Sequence, residues 1–167
     1  MAKAKQNDEI KQLVEDLIKK ATQKTKAKVH DEAAELLEQV LELEPENTRA
    51  LDLLGFVKWS LGDIKASEEL NRRSLALKPL GHYARKGLGV CLADQGKIDE
   101  AIPEFHHAMA LKPLWVDPVH DMAVCLLKAG RYPQAIKALE QCLEMDPKLE
   151  PKIIPLLEKA RAEAAKG

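Results

Sequence analysis

Aromatic side chains are scarce: two Phe, two Trp and two Tyr make up 4% of the 167 residues. A core assembled from rings is therefore excluded, and helices packed through Ala and Leu suit the composition. No stretch approaches the ~20 consecutive apolar residues that a membrane-spanning helix requires. Neither sign of charge dominates, with 26 Lys and Arg against 27 Asp and Glu for a net charge of −1. That balance argues against a dedicated nucleic-acid binder. Cysteine is limited to Cys91, Cys125 and Cys142. This odd, sparse set reads as small buried hydrophobes in a reducing compartment, not as a disulfide or redox pair.

Chemical motifs are missing as well. There is no C-x-x-C or H-x-x-x-H spacing, no Gly-rich phosphate loop and no nucleophile–base pair. His106 and His107 are adjacent, so on one helix they point to different sides and cannot easily grip one ion. The expectation is no cofactor, no metal and no enzymatic activity. The N-terminal MAKAKQNDEIKQL has no apolar h-region, which predicts no secretory signal and a cytoplasmic location.

What is present is a period. Pro45, Pro79, Pro113 and Pro147 stand 34 residues apart and close VLELEP, SLALKP, AMALKP and CLEMDP. Proline lacks an N–H and cannot continue a helix, so each marks the stop after an apolar helical stretch. Small residues recur twelve positions before each proline, at Ala33, Ser67, Ala101 and Ala135. They recur again twenty-four before, at Ala21, Gly55, Gly89 and Ala123. Gly62, Gly96 and Gly130 stand seventeen before, with Lys28 in the first unit. Glycine takes positive φ there without steric cost and ends a helix, and Asp63 and Asp99 can cap the helix that follows. Each unit is thus helix–turn–helix, with small residues where two helices approach closely. A period of this length is the signature of a solenoid.

The segments LLGFVKWSLGD, GLGVCLADQGKIDEAIPEFHHAMALKP and MAVCLLKAGRYPQAIKALEQCLEMDP resemble the tetratricopeptide repeat. That resemblance covers roughly residues 10–147. It implies an all-α, right-handed helix-turn-helix solenoid of about four repeats, near residues 10–47, 48–81, 82–115 and 116–149, in a single domain over 1–167. The first unit departs from the pattern where KKATQKTKAK replaces the usual end of its first helix. This lysine run reads as a solvated helix end, with contact to an anionic surface as the sharper alternative. The second departs at Ser67, Asn71 and Ser74. Buried without partners, such groups would each cost roughly 1–3 kcal/mol, so this seam is expected to be the softest of the array.

The ends follow the same logic. Ile10, Leu13, Val14, Leu17, Ile18 and Ala21 keep helical spacing, predicting an amphipathic helix over residues ~7–25. Ile153, Ile154, Leu157 and Ala160 form one stripe of a capping helix over 150–165, with Pro155 expected to kink it.

Function is expected on the first helices. About 100° from each packing stripe stand Arg49, Asp52, Phe56 and Trp59 in the second unit. The same places hold Tyr83, Lys86, Val90 and Ala93 in the third, and Asp117, His120, Val124 and Leu127 in the fourth. Phe56, Trp59, Tyr83, Val90, Val124 and Leu127 are unusually apolar for a solvent-facing groove and point to a protein or peptide partner. Arg49 and Lys86 are placed to hold a carboxylate or carbonyl of the incoming chain. Some repeats of this family clamp a chaperone's C-terminal carboxylate with a Lys–Asn–Asn–Lys–Arg set. The matching places, counted from the second unit, are Asp52, Phe56, Val90, His120 and Val124. Counted from the first, they are Ile18, Thr22, Phe56, Lys86 and Val90. Only Lys86 matches, so that role is disfavoured. The leading expectation is a non-enzymatic adaptor or assembly scaffold. A second is a dedicated secretion chaperone. Gly87-Leu88-Gly89, Cys91, Gly96, Asp117-Pro118, His120 and Cys125-Leu126-Leu127 look like the class II chaperones of type III secretion. A third is a self-associating scaffold on a membrane or organelle surface.

Overall fold

The computed structural model describes residues 2–166, with side chains from residue 6 to 166. The chain forms two compact units, Met1–Pro79 and Leu80–Gly167. The first holds α1 (Ala2–Lys26), α2 (His30–Leu43), α3 (Thr48–Ser60) and α4 (Ile64–Leu77). Helix α1 packs on α2, α3 on α4, and α2 against α3. The second holds α5 (His82–Asp94), α6 (Ile98–Leu111), α7 (Asp117–Lys128) and α8 (Tyr132–Met145). A 3-10 turn (Pro147–Leu149) then leads into α9 (Glu150–Ala164). Helix α5 packs on α6, α7 on both α6 and α5, and α9 closes against α8.

The turn inside each pair has one construction. Gly62, Gly96 and Gly130 have φ of +84°, +78° and +70°. The following N–H reaches back five residues in each case: Asp63 to Lys58 O, Lys97 to Leu92 O and Arg131 to Leu126 O, all at 2.9 Å. This is the bond that ties off the last carbonyls of a helix ending in a left-handed residue. Lys28 makes the same turn at φ +60°, with Val29 N–H on Lys24 O at 2.9 Å. A side chain in that region costs about 1 kcal/mol that glycine does not. Between pairs, Glu44, Lys78, Lys112 and Asp146 each leave the helical region, with φ of −132° to −146° and ψ of 79° to 94°. A residue before proline is pushed out of the α region in this way.

The small residues work as the spacing predicts. Gly89 lies under the buried ring of Phe105, which a Cβ there would meet at 2.9 Å. In the first unit Val14, Ile18, Ala21, Ala33, Leu37, Val40, Leu54 and Val57 are shielded from water. Cys91, Cys125 and Cys142 are buried free thiols. Burial pushes the Cys142 thiol up to about 11.

Three expectations change. The first helix begins at Ala2, not near residue 7. Asp63 caps α4 by accepting from Ala66 N–H at 3.0 Å, but Asp99 caps nothing and pairs with Arg131 at 2.8 Å. The polar seam is not short of partners. Ser67 Oγ donates to Gly55 O at 2.7 Å, Asn71 Nδ2 donates to Ser67 O at 2.8 Å, and Ser74 Oγ donates to Asp52 Oδ1. The desolvation cost that made this seam soft is therefore met by hydrogen bonds, one of which ends on a carboxylate.

Candidate functional site

In the first unit the predicted stripe divides into three separate settings. Arg49 leaves α3 toward α1 and pairs with Glu15 Oε2 at 2.9 Å. Both groups are well exposed, so the pair is worth at most about 1 kcal/mol. Asp52 is half-buried and accepts the Ser74 hydroxyl, which makes it part of the α3–α4 seam. Phe56, 44% exposed, stands one turn before Trp59, with ring centroids 6.0 Å apart. His30, first residue of α2, sets its ring edge-on to Phe56 at 6.4 Å. Helical i, i+3 spacing brings the two α3 rings together, and the packing of α2 on α3 supplies the third.

The second unit carries a denser cluster. Tyr83 is 52% exposed at the start of α5. Trp115, in the link after Pro113, meets Tyr83 at 4.9 Å and His82 at 5.4 Å, both edge to face. Two ammonium groups lie over these rings: Lys86 Nζ is 5.5 Å from the Trp115 centroid, and Lys112 Nζ is 5.3 Å from Trp115 and 5.6 Å from Tyr83. The electron-rich ring faces favour such cations. Lys86 is also held by Asp121 Oδ2 at 3.1 Å, with His120 Nδ1 3.6 Å from the other carboxylate oxygen. Burial raises the Asp121 carboxyl, but the His120 hydrogen bond and the charge of Lys86 outweigh it, leaving the group below the ordinary carboxylate value. Val90, Val124 and Leu127 are half-buried beside this cluster's helices and offer only part of their surface.

Sequence reasoning missed Trp115, His82, Lys112 and His30. It looked for function on the first helices alone, whereas Trp115 and Lys112 sit on the link and His30 opens a second helix. It also assigned Arg49 and Lys86 to an incoming chain, and both already hold carboxylates of their own units. Among the described residues no group of three His, Cys, Asp or Glu could hold a metal ion. No described helix is long and apolar enough to cross a membrane.

These paired helices, glycine turns and proline stops define a helical repeat protein. Two profiles of the tetratricopeptide repeat match, over residues 53–108 and 92–160, together well over half of the chain. The chain belongs to the tetratricopeptide repeat family. No curated protein matches it. Among solved structures it is similar to a mutant O-GlcNAc transferase of Thermobaculum terrenum (TM-score 0.74, 22% identity), covering 81% of this chain. It spans only 26% of that transferase. YrrB, a repeat protein with an unusual peptide-binding site, matches at TM-score 0.64 and 24% identity, over 76% of this chain and 66% of its own. A thermophilic repeat protein of Thermus thermophilus matches at TM-score 0.77 and 20% identity, over 92% of this chain and 89% of its own. At these identities the likeness is one of fold.

Proposed function

We propose that this protein is an interaction adaptor, and that each unit offers a ring pair to apolar anchors of a partner chain. The carrying observation is that Phe56 and Tyr83 remain about half exposed on first helices while their ring neighbours Trp59 and Trp115 hold them in place. Large rings already ordered by neighbours lose little freedom on binding and bring ~150–250 Å² each. The partner is an extended peptide or one face of an amphipathic helix. YrrB's peptide-binding site, on the same fold, supports this reading. The chemistry at the two ring clusters is contact chemistry: ion pairs, rings and aliphatic groups. The test is capture from native lysate by wild-type protein and by the double variant Trp59→Ala, Tyr83→Ala. Loss of the captured chains with an unchanged helical circular dichroism spectrum is the expected result. Wild-type recovery of the same chains by the double variant would overturn the reading.

A further inference from the structure

The tripeptide Lys-Pro-Leu occurs twice, as Lys78-Pro79-Leu80 and Lys112-Pro113-Leu114, where the other two links read Glu44-Pro45-Glu46 and Asp146-Pro147-Lys148. Both leucines face water. Leu114 is 96% exposed, an extreme for a leucine, and Leu80 is 70% exposed. They belong to one edge of the second unit. Leu80 lies two residues before His82, and Leu114 is next to Trp115, whose ring meets His82 at 5.4 Å and Tyr83 at 4.9 Å. Tyr83 is itself half exposed. The Lys112 ammonium lies over the faces of Trp115 and Tyr83, 5.3 and 5.6 Å from their centroids.

The form of this patch decides its occupant. A leucine exposed to that degree is a protrusion without walls, so a peptide laid across it gains little contact. A bilayer brings its own apolar phase and closes around whatever enters it. Lipid also demands that backbone polar groups be satisfied within the protein. At this turn Pro113 has no N–H, Lys112 N–H is bonded to Ala108 O at 3.0 Å, and Trp115 N–H to Lys112 O at 3.1 Å. Trp and Tyr rings favour the headgroup level of a membrane, and a lysine stem reaches past apolar atoms to place its charge there. Asp117, exposed at the start of α7, offsets part of the Lys112 charge, so the leucines carry most of the attraction.

We propose that the second unit docks on an acidic lipid bilayer through this edge. Leu80 and Leu114 enter the acyl boundary, Tyr83 and Trp115 lie at headgroup level, and Lys112 meets lipid phosphates. The contact is shallow and reversible, because two side chains bury far less apolar surface than an inserted helix. It goes beyond the adaptor reading. Purified chain and pure lipid read it without any protein partner, so the two readings fail independently.

Cosedimentation tests it at millimolar lipid, with vesicles of phosphatidylcholine alone and of phosphatidylcholine mixed with phosphatidylglycerol. The chain should pellet with both, and about fivefold more tightly with the acidic mixture, the effect of one lysine near a charged surface. Salt at about 0.5 M should erase that preference by screening. Leu114→Ser should weaken binding to both kinds of vesicle about tenfold, the effect of keeping one leucine out of the apolar phase. Lys112→Gln should remove only the acidic preference. Both positions are exposed, so the fold tolerates the changes, and circular dichroism checks it. With Trp59→Phe, Trp115 is the sole tryptophan, and its emission should move to shorter wavelength on vesicles. No pelleting, equal binding by Leu114→Ser, an acidic preference that survives Lys112→Gln, or a Trp115 emission that vesicles do not move would each overturn the proposal. So would a chain that ignores vesicles but loses self-association or a soluble protein partner with Leu114→Ser, an outcome that assigns the leucines to a protein contact.

Discussion

Replacing Gly89 by alanine sets helix propensity against packing. Gly89 is interior to α5, where alanine is favoured by up to about 1 kcal/mol. Against this, the new Cβ would meet three carbons of the Phe105 ring at 2.9, 3.0 and 3.1 Å. Phe105 is fully buried, so the ring can escape only by moving its neighbours. Inserting a methyl group into such a core costs about 1–3 kcal/mol, and contacts this short place the cost toward the upper end. The net expectation is a loss of about 1–2 kcal/mol in denaturant unfolding followed by circular dichroism. The second half of the experiment is Phe105→Leu. The equivalent pairs in the first and fourth repeats are Ala21 with Leu37 and Ala123 with Leu139, while the second has Gly55 with Asn71, so an Ala–Leu combination is one this repeat already packs. The double variant should be more stable than the sum of the singles by roughly 1 kcal/mol, a coupling of the size expected for residues in contact. A stabilising Gly89→Ala, or strictly additive singles, would refute the claim that ring size dictates glycine here.

Two further outcomes follow from the same reasoning. Ser67→Ala introduces the residue that the other three repeats carry at this place, yet it should destabilise by about 1 kcal/mol because the hydroxyl bond to Gly55 O is lost; a higher melting temperature would show that the bond contributes nothing. Asp121 has a folded-state value below its ordinary 3.8, so the unfolded chain takes up the proton first. Its contribution is complete above about pH 4 and lost as pH falls through the lower folded value. Asp121→Asn should flatten that part of the acid limb in a melting-temperature profile, and an unchanged limb would remove Asp121 from the account.

The period of 34 residues, the helix stops at proline, the left-handed turns at glycine and the small residues at close approaches are all legible in the amino-acid sequence by itself. Each is a local requirement: a missing N–H, a permitted φ or the lack of a Cβ acts through the chain's own backbone, and so marks the sequence at fixed intervals. Part of the surface was also legible in principle. Arg49 pairs with Glu15 and Lys128 with Asp94, each across 34 positions, because equivalent places in successive repeats lie side by side.

The rest needed tertiary packing. Asn71 reads as a defect in an apolar seam until α3 and α4 are in place and the seam's hydroxyls and amide find Gly55 O, Ser67 O and the Asp52 carboxylate. Trp115 is one residue of a link until the fold sets it against Tyr83 and His82 and under two ammonium groups. Repetition records what every unit must do alone. Which side chains meet, and which are left facing water, depends on distances between units of sequence that no periodicity encodes, because one side chain changed at one place does not disturb the backbone pattern that the others maintain.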